Sequence, residues 1–233
     1  MGLFRRFKVA MILNVLGLSV AFAAFMVIMM QVDYDLRFDS CQPEADNIFR
    51  MSYTNDEEEN AVPFSRPFSR EAFASSPHIK AGAIMNPWVD DSPYYIEGDR
   101  LRNSYRDPSW GATAELLDVF DFDMVEGGKD ALSTPDALIM PQSMARRLFG
   151  EESALGKRLI NTDDGKLKGV VCGVFKDFPR NSSMRNIIYY RLSDEENYNA
   201  WTNWNYLCFM RLDDASNMPA VVDLLNDKFV TDK

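Results

Sequence analysis

The chain has 233 residues, 46% of them hydrophobic and 12% aromatic, which is enough for one or two domains with a sizeable core. Its formal net charge is -10, and this argues against a nucleic-acid partner, because phosphate binding requires a basic face. The charge is uneven: Arg5, Arg6 and Lys8 come first, and no acidic residue precedes Asp33.

A long uncharged segment follows the basic residues. From Val9 to Met30 the only polar side chains are Asn14 and Ser19. As a helix this segment would be about 33 Å long at about 1.5 Å per residue, enough to cross a hydrocarbon core of about 30 Å. A cleaved signal peptide is the alternative, but its apolar region is usually about 7–15 residues long and ends in a small-residue cleavage site, which is missing here.

Basic residues that flank a membrane span usually stay in the cytoplasm. We therefore predict a cytoplasmic N-terminus at 1–8, a transmembrane helix in membrane lipid at 9–32 and an extracytoplasmic remainder. The span contains no ionisable residue, so it offers no proton or ion relay. Because QVDYDLRFDSC contains neither Gly nor Pro, the helix is expected to continue into a stalk at 33–45.

The residues after the stalk predict a β-α-β unit over 47–89. Apolar and polar side chains alternate in NIFRMSYT, which is typical of a strand. SREAFASS predicts a helix that Pro77 ends, and IKAGAIMNPWV predicts the next strand. NDEEEN at 55–60 predicts a solvated loop, since its acids lack the spacing of a calcium loop.

Residues 90–178 predict two hairpins and two helices. PYYIEGDRLRNSY indicates a hairpin around Gly98-Asp99, and RLINTDDGKLKGVVCGVF another with Asp164-Gly165 at its turn. ATAELLDVFDF, at 112–122, predicts a helix with apolar side chains at Leu116, Leu117 and Phe120. MPQSMARRLFG predicts a helix that has Pro141 in its first turn and Gly150 just after its end.

The C-terminal part predicts two strands and a helix. RNIIYYRL and NYLCFMRL have strand patterns. NMPAVVDLLNDKF predicts an amphipathic helix, whose apolar face carries Val221, Leu224, Leu225 and Phe229.

The segment GEESALGK at 150–157 resembles a phosphate-binding loop but lacks its chemistry. A P-loop has four residues between its glycines, whereas five separate Gly150 and Gly156. Arg158 stands where a hydroxyl should bind Mg²⁺, and two glutamates would repel phosphate. The segment also follows a predicted helix instead of opening one. We interpret both glycines as conformational residues.

Other chemistry is poorly supported. His78 is the single histidine, which favours a surface or capping role over catalysis. Asp90-Asp91 and Asp163-Asp164 lie in predicted turns, where aspartate is common. We predict no catalytic, cofactor-binding or metal-binding residue.

Three short features leave alternatives open. Cys172 and Cys208 lie in strand-like segments, where they could be neighbours or separate buried thiols. With Cys41 the number of cysteines is three, an odd number for a compartment in which disulfides form. WTNWNY at 201–206 could be an exposed aromatic patch for a partner or part of a strand-edge core. Asn181-Ser182-Ser183 matches a glycosylation sequon that we consider incidental.

Several phrases, in order, resemble the periplasmic core domain of MacB-like, FtsX-like ABC transporter permeases of the Bacteroidota type. They are DVFDFDMVEGG, ALIMPQSMARRLFGEESALGKRL and GVVCGVFKDFPRNSSM, preceded by LNVLGLSVAFAAFMVIMMQVDYDLRFD, which is similar to the first transmembrane helix and stalk of the family. The resemblance covers most of residues 9–190.

This resemblance implies an α+β fold with a transmembrane helix and a two-lobed periplasmic core. The implied division is a split porter-like β-α-β subdomain, at 46–89 and 179–233, with a β-rich lobe inserted at 90–178. The resemblance also implies a non-catalytic domain in the bacterial inner membrane that transmits ATPase-driven movement, called mechanotransmission, to export or extract substrates. The implied partners are a separate cytoplasmic ABC ATPase, a second permease and a periplasmic adaptor or outer-membrane protein.

Permeases of this family continue into further transmembrane helices, so we expect these residues to be the front of a longer permease or a shortened form. Two other functions are weighed against the permease. A membrane-anchored periplasmic sensor or ligand-binding domain is the main alternative, and a periplasmic hydrolase is disfavoured by the single histidine.

Overall fold

A computed structural model describes residues 2–54, 61–99 and 103–229. The chain divides into two compact units. The helix unit comprises the residues up to Cys41 together with Pro179–Met184, and the sheet unit comprises Gln42–Phe178 and the residues from Arg185 onward. The predicted acidic loop at 55–60 and the tip of the first predicted hairpin, 100–102, lie outside the described residues.

The helix unit is dominated by one long helix, α1 (Gly2–Leu36). Its stretch from Phe7 to Leu36 is long and apolar enough to cross a membrane, and the side chains described there are exposed. This contains the span predicted at 9–32. The predicted stalk is helical only to Leu36, because the residues from Arg37 to Cys41 form turns.

In its described residues, the sheet unit has four helices and ten strands in one mixed sheet. The pairing order is β1-β10-β2-β4-β9-β6-β8-β7-β3, and β5 pairs with β8. The strands are β1 (Ile48–Arg50), β2 (Ile79–Asp90), β3 (Tyr94–Ile96), β4 (Ser109–Ala112), β5 (Met124–Glu126), β6 (Ala137–Pro141), β7 (Arg158–Asn161), β8 (Leu167–Phe175), β9 (Ile188–Arg191) and β10 (Leu207–Leu212). The helices are α2 (Arg66–Phe73), α3 (Leu116–Val119), α4 (Gln142–Phe149) and α5 (Met218–Phe229), with single 3-10 turns at Ala45–Asn47 and Ala215–Asn217.

The predicted β-α-β unit is present, with one strand inserted between its two strands. β1 and β2 both pair antiparallel with β10, so they run in the same direction. The helix between them, α2, begins three residues before the predicted start because Pro67 is accepted in its first turn. Strand β1 is shorter than predicted and ends at Arg50.

The helix predicted over 112–122 is wrong except at its centre. Only α3 is helical, and Ala112 belongs to β4, a strand that is buried along its whole length between β2 and β9. Phe120 is extended. Similarly, Pro141 is the last residue of β6 and the N-cap of α4, not a first-turn residue. Both errors arise because a fully buried central strand lacks the alternation that marks a half-exposed strand.

The hairpin of β7 and β8 and the helix α5 are confirmed. Gly165 has φ of 69° at the turn, and its N–H donates to the carbonyl of Asn161 at 3.0 Å. The first predicted hairpin begins at Tyr94, which exchanges two backbone hydrogen bonds with Tyr105. In α5, Val221 is buried and Leu224, Leu225 and Phe229 are half-buried.

Among the described residues, the two larger hydrophobic clusters bear on the predicted division, and a smaller one comprises Ile84, Leu192 and Tyr206. Met51, Phe64, Ala72, Cys208, Met210, Leu212 and Val221 form one. Tyr94, Leu138, Met140, Met144, Ala145, Ala154, Leu159, Val171, Val174 and Ile188 form the other. Apart from Ile188, these sets fall on opposite sides of the predicted division at about 90 and 178. The sheet itself is continuous across that division, since β9 pairs with both β4 and β6, and the two lobes stay a prediction.

A polar triad of Tyr94, Asp107 and Arg147 beside the second cluster was not foreseen. Tyr94 Oη donates to Asp107 Oδ2 at 2.6 Å, and Arg147 Nη2 donates to Asp107 Oδ1 at 2.6 Å. Tyr94 is fully buried and Asp107 almost so. Burial, assisted by the bond to Asp107, raises the pKa of Tyr94 above its ordinary value. The triad joins β3 to α4 through one shared carboxylate.

Candidate functional site

The end of α1 and the loop 179–184 meet within the helix unit. We call the residues that join them, Tyr34, Arg37, Asp39, Arg180, Asn181 and Ser183, the stalk junction. Its hydrogen-bonded partners are up to 146 residues apart in the sequence. The loop lies in the chain between β8 and β9, so the junction connects the membrane-type helix to the segment between two central strands.

Asp39 makes three bonds of the junction. Its φ is 56°, a left-handed conformation that aspartate tolerates better than most residues. Its N–H donates to the carbonyl of Asn181 at 2.8 Å. Its carboxylate accepts from Ser183 N at 2.6 Å and from Ser183 Oγ. Bonds to an ionised carboxylate are about twice as strong as neutral ones, so Asp39 is the principal anchor.

The remaining bonds of the junction come from both sides. Asn181 Nδ2 donates to the carbonyl of Arg37 at 2.7 Å, and Tyr34 Oη donates to the carbonyl of Arg180 at 2.9 Å. Arg37 Nε in turn pairs with Asp33 at 2.9 Å on the helix surface. In the segment that matches a glycosylation sequon, the Asn181 side-chain amide is therefore already engaged in a hydrogen bond to the carbonyl of Arg37.

The chain passes between the two units at 41–42, 178–179 and 184–185. On the sheet-unit side, each passage is held by side-chain to backbone bonds. Gln42 Oε1 accepts from Asp121 N at 2.8 Å. Asn186 accepts from Phe178 N at 2.8 Å and donates to its carbonyl at 2.9 Å. Tyr189 Oη accepts from Arg185 N and donates to the Arg185 carbonyl, both at 2.9 Å.

Two residues that take part in these bonds, Phe178 and Tyr189, also belong to an aromatic cluster in the sheet unit. The rings of Phe122, Phe175, Phe178 and Tyr189 lie with centroids 5.0–6.0 Å apart, and Phe122 meets the other three edge-on. Such edge-to-face pairs add about 0.5–1.5 kcal/mol each to the burial of the rings. Burial raises the pKa of Tyr189 well above its ordinary value, so its hydroxyl stays neutral and can both donate and accept.

The loop resembling a P-loop is a structural turn. Gly150 and Gly156 have φ of 66° and 77°, as expected for conformational glycines. Gly156 N donates to the carbonyl of Val171 at 2.8 Å, which starts the approach to β7. Lys157 Nζ is paired with Glu152 at 2.9 Å. No backbone cradle opening a helix is formed here.

The segment KDFP, at 176–179, supplies a capping residue for α4, the helix that precedes this loop. Asp177 Oδ1 accepts from Ser143 N at 2.9 Å, and Ser143 lies in the first turn of α4. Pro141, the N-cap residue, makes no side-chain cap bond. Asp177 therefore caps α4 from a distant part of the chain, where a carboxylate also suits the positive end of the helix dipole.

The other sequence candidates have ordinary surroundings. His78 Nδ1 lies 3.1 Å from Asp213 Oδ2 on the surface. Asp90 pairs with Lys168 Nζ at 2.9 Å, and Asp164 pairs with Lys166 beside the hairpin turn. Within residues 2–54, 61–99 and 103–229, no three His, Cys, Asp or Glu side chains are grouped in a way that could hold a metal ion.

The three cysteines are free. Cys208 is fully buried, with its Sγ 2.8 Å from Ser69 Oγ. Cys172 Sγ lies 3.9 Å from Thr134 Oγ1 instead. In the aromatic segment 201–206, Trp201 and Trp204 are both about half-exposed, and Trp204 also packs against Tyr53 and Phe64.

The comparisons with known proteins agree with this architecture. The family model for the MacB-like periplasmic core domain matches residues 11–228. The chain belongs to the MacB-like periplasmic core domain family. This family comprises periplasmic domains of transporter permeases and is not a known class of enzyme. No curated protein matches the sequence.

Three solved structures share the fold of this MacB-like domain. A domain of a putative permease protein from Porphyromonas gingivalis has a TM-score of 0.65 at 21% identity, covering 80% of this chain and 86% of that one. The extracellular domain of the noncanonic ABC-type transporter YknZ from Gram-positive bacteria has a TM-score of 0.53 at 20% identity, covering 80% and 96%. The periplasmic region of MacB from Actinobacillus actinomycetemcomitans has a TM-score of 0.53 at 15% identity, covering 78% and 82%.

Proposed function

We propose that this chain is the extracytoplasmic part of an ABC transporter permease and that it transmits movement driven by a cytoplasmic ATPase. The observation that carries the proposal is the stalk junction. The family match supports the transporter context, and the hydrogen bonds of Asp39, Asn181 and Tyr34 supply a route for force.

The proposed route has two steps. A displacement of α1 acts on the loop 179–184 through the junction, and the loop is covalently continuous with Phe178 and Arg185. Asn186 makes two hydrogen bonds to the backbone of Phe178, and Tyr189 makes two to the backbone of Arg185. These bonds restrain the backbone at both ends of the loop, so a displacement of the loop would be transmitted to β8 and β9. The domain would act as a lever and requires no catalytic residue.

The proposed orientation places the N-terminus in the cytoplasm and the sheet unit in the periplasm. It rests on Arg5, Arg6 and Lys8 before the span and on the acidic remainder after it. The partners would be a cytoplasmic ABC ATPase, a second permease subunit and a periplasmic adaptor or outer-membrane protein. The division into a porter-like subdomain and an inserted β-rich lobe belongs to the same proposal.

The test uses the protein purified from its native membranes with whatever co-purifies. We expect an ABC ATPase in the preparation. A spectroscopic label at the exposed Lys166 position, introduced as an unnatural amino acid, would report the label-to-label distance between two copies with and without ATP. We expect ATP to change this distance.

Two flexible insertions then separate the route from the assembly. A Gly-Ser insertion after Asp39 interrupts the path from α1 to the loop, whereas the same insertion after Asp163 lies in the exposed turn of the β7–β8 hairpin. We expect the first to abolish the ATP-dependent change and the second to preserve it, both with the ATPase still bound. Absence of an ATPase would refute the permease assignment, and an unaffected distance change after the first insertion would refute the lever.

A further inference from the structure

A cavity of about 480 Å³ lies in the sheet unit. Its walls come from α2, the start of β2, the segment after β4 and the segment after β9. Four basic side chains line it: Arg66, Arg70, Lys80 and Arg191. The volume is in the range typical of small-molecule sites, about 300–1,000 Å³.

Arg66 is buried without a countercharge. Only 4% of the residue is exposed, and its Nη1 donates to the main-chain carbonyls of Ser193 at 2.6 Å and Glu196 at 2.5 Å. Its Nε has no hydrogen-bond partner. Burial lowers the pKa of Arg66 below its ordinary value, which reflects the unfavourable desolvation of an unpaired charge.

Arg70 stands one helical turn further along the same face of α2 and is also without a carboxylate. Its guanidinium carbon lies 3.4 Å from the centroid of the Tyr198 ring, and its buried Nη1 has no partner. Two carboxylates line the cavity: Asp194 pairs with Arg191 at 2.6 Å, and Glu115 is exposed. Asp213, outside the lining, lies 3.8 Å from Lys80. Across the described parts of the chain, neither Arg66 nor Arg70 forms an ion pair.

We propose that this cavity is a binding site for a small molecule that carries an oxyanion, a carboxylate or a phosphate. An oxyanion there would supply a countercharge for Arg66 and Arg70, which form no ion pair among the described residues, and the planar guanidinium of Arg70 suits bidentate binding of either group. The Tyr198 ring holds that guanidinium in place by stacking. Phe73, Ile79 and Ile84 give the cavity an apolar wall for the body of the ligand.

This site is independent of the lever proposed above, because no residue of the stalk junction lines the cavity. A ligand bound there would give the domain a sensing or substrate-contacting role beyond the transmission of movement.

The test is calorimetric titration of the full chain in detergent micelles at low ionic strength. The two probes are glutarate, for a carboxylate, and inorganic phosphate, with sodium chloride at equal ionic strength as the reference. We expect at least one probe to bind with a dissociation constant below about 1 mM. Whichever probe binds identifies the source of the oxyanion.

Variants decide whether the binding occurs at this cavity. Arg70→Gln is expected to weaken it at least about tenfold, because it removes a charged hydrogen-bond donor to the oxyanion. Arg146→Gln, on the exposed end of α4, is the matched control and should leave binding unchanged. Thermal unfolding followed by circular dichroism establishes that each variant is folded.

Lys80→Gln provides a second test. The Lys80 side chain lines the cavity but is 59% exposed, so its substitution does not disturb a buried group. We expect it to weaken binding about threefold, as the loss of one partly screened charge should. Failure of both probes to bind would overturn the proposal. Equal weakening by the Arg70 and Arg146 variants, or no weakening by Arg70 and Lys80 variants, would also overturn it, because the binding would then be non-specific or located elsewhere.

Discussion

Asp39 and Ser183 are 144 residues apart in the sequence, yet Ser183 donates two hydrogen bonds, from N and from Oγ, to the carboxylate of Asp39. The contact joins the end of α1 to the segment between β8 and β9. The contact explains why the turn after Leu36 contains a non-glycine residue with positive φ: the bend at Asp39 directs its carboxylate to the loop.

The capping bond from Asp177 to Ser143 should contribute measurably to stability. Asp177→Ala removes the acceptor for an N–H in the first turn of α4, and we expect a loss of about 1 kcal/mol in the free energy of unfolding. Asp177→Asn keeps an acceptor oxygen and should lose only a few tenths. Urea unfolding followed by circular dichroism measures both, and equal stability of the Ala variant and the unmodified chain would refute the cap.

The two adjacent glycines of the VEGG phrase should respond differently to substitution. Gly127 has φ of 79°, and a Cβ there would lie 2.4 Å from the carbonyl oxygen of Cys172. We expect Gly127→Ala to cost about 2–4 kcal/mol through strain and overpacking. Gly128→Ala is the matched control, because its Cβ would meet only the Asp130 side chain, at 3.0 Å.

The cost of the Gly128 variant should stay below about 1 kcal/mol. Thermal unfolding of the two proteins under identical conditions measures the difference. Equal midpoints would contradict the close approach of β8 to Gly127.

Cys208 should be inert in the folded protein. Burial raises the pKa of its thiol to about 12, so almost no thiolate is present at pH 8. We expect iodoacetamide at pH 8 to modify the partly exposed Cys41 and Cys172 and to leave Cys208 unmodified, as read by peptide mass spectrometry. All three should react in guanidinium chloride. Rapid modification of Cys208, or a peptide with Cys172 and Cys208 joined by a disulfide, would contradict the structure.

The hydroxyl of Tyr94 should make stability depend on pH in the alkaline range. Its pKa is raised in the folded state by burial and by the bond to Asp107, whereas the unfolded value is about 10. The folded state therefore favours the neutral hydroxyl, whose contribution is complete below pH about 10 and is lost as the pH rises above it.

Tyr94→Phe should cost about 1–2 kcal/mol at pH 7, because one hydrogen bond to a carboxylate is lost while Asp107 keeps Arg147. The variant should also lose less stability than the unmodified chain between pH 9 and about 10.5. Urea midpoints across this range measure the dependence. An identical decline in both proteins would show that Tyr94 does not titrate with unfolding.

Local patterns predicted the elements whose signal lies within a few neighbouring residues. The long uncharged segment that ends at Met30 predicted α1, Asp164-Gly165 predicted the β7–β8 turn, and the apolar face around Val221 predicted α5. Strands β4 and β6 were missed because they are buried on both sides: Trp110 to Ala112 and Leu138 to Met140 show no alternation. Their identity as strands is decided by neighbours that are distant in the sequence.

The stalk junction could not be predicted for the same reason. Asn181 and Ser183 matched only a sequon, and nothing near Asp39 indicates a partner about 140 residues later. The capping of α4 by Asp177 could not be predicted either, because it depends on the pairing of β6 with β8. The guanidinium pair of Arg66 and Arg70 likewise has no sequence signal beyond helical spacing, since the missing countercharge becomes visible only after folding.

The most direct test of the account is whether the end of α1 and the loop 179–184 behave as one element. Amide hydrogen exchange of the full chain in detergent micelles, resolved at Ser183, would be compared between Asp39→Ala and Asp33→Ala. Among the described residues the Asp33 side chain pairs with Arg37 on the helix, and no hydrogen bond or ion pair joins it to the loop, so it is the matched control. We predict that Asp39→Ala accelerates exchange at Ser183 by about tenfold, equivalent to about 1.4 kcal/mol, and that Asp33→Ala leaves it unchanged. Unchanged exchange in the Asp39 variant would contradict the stalk junction and the lever built on it.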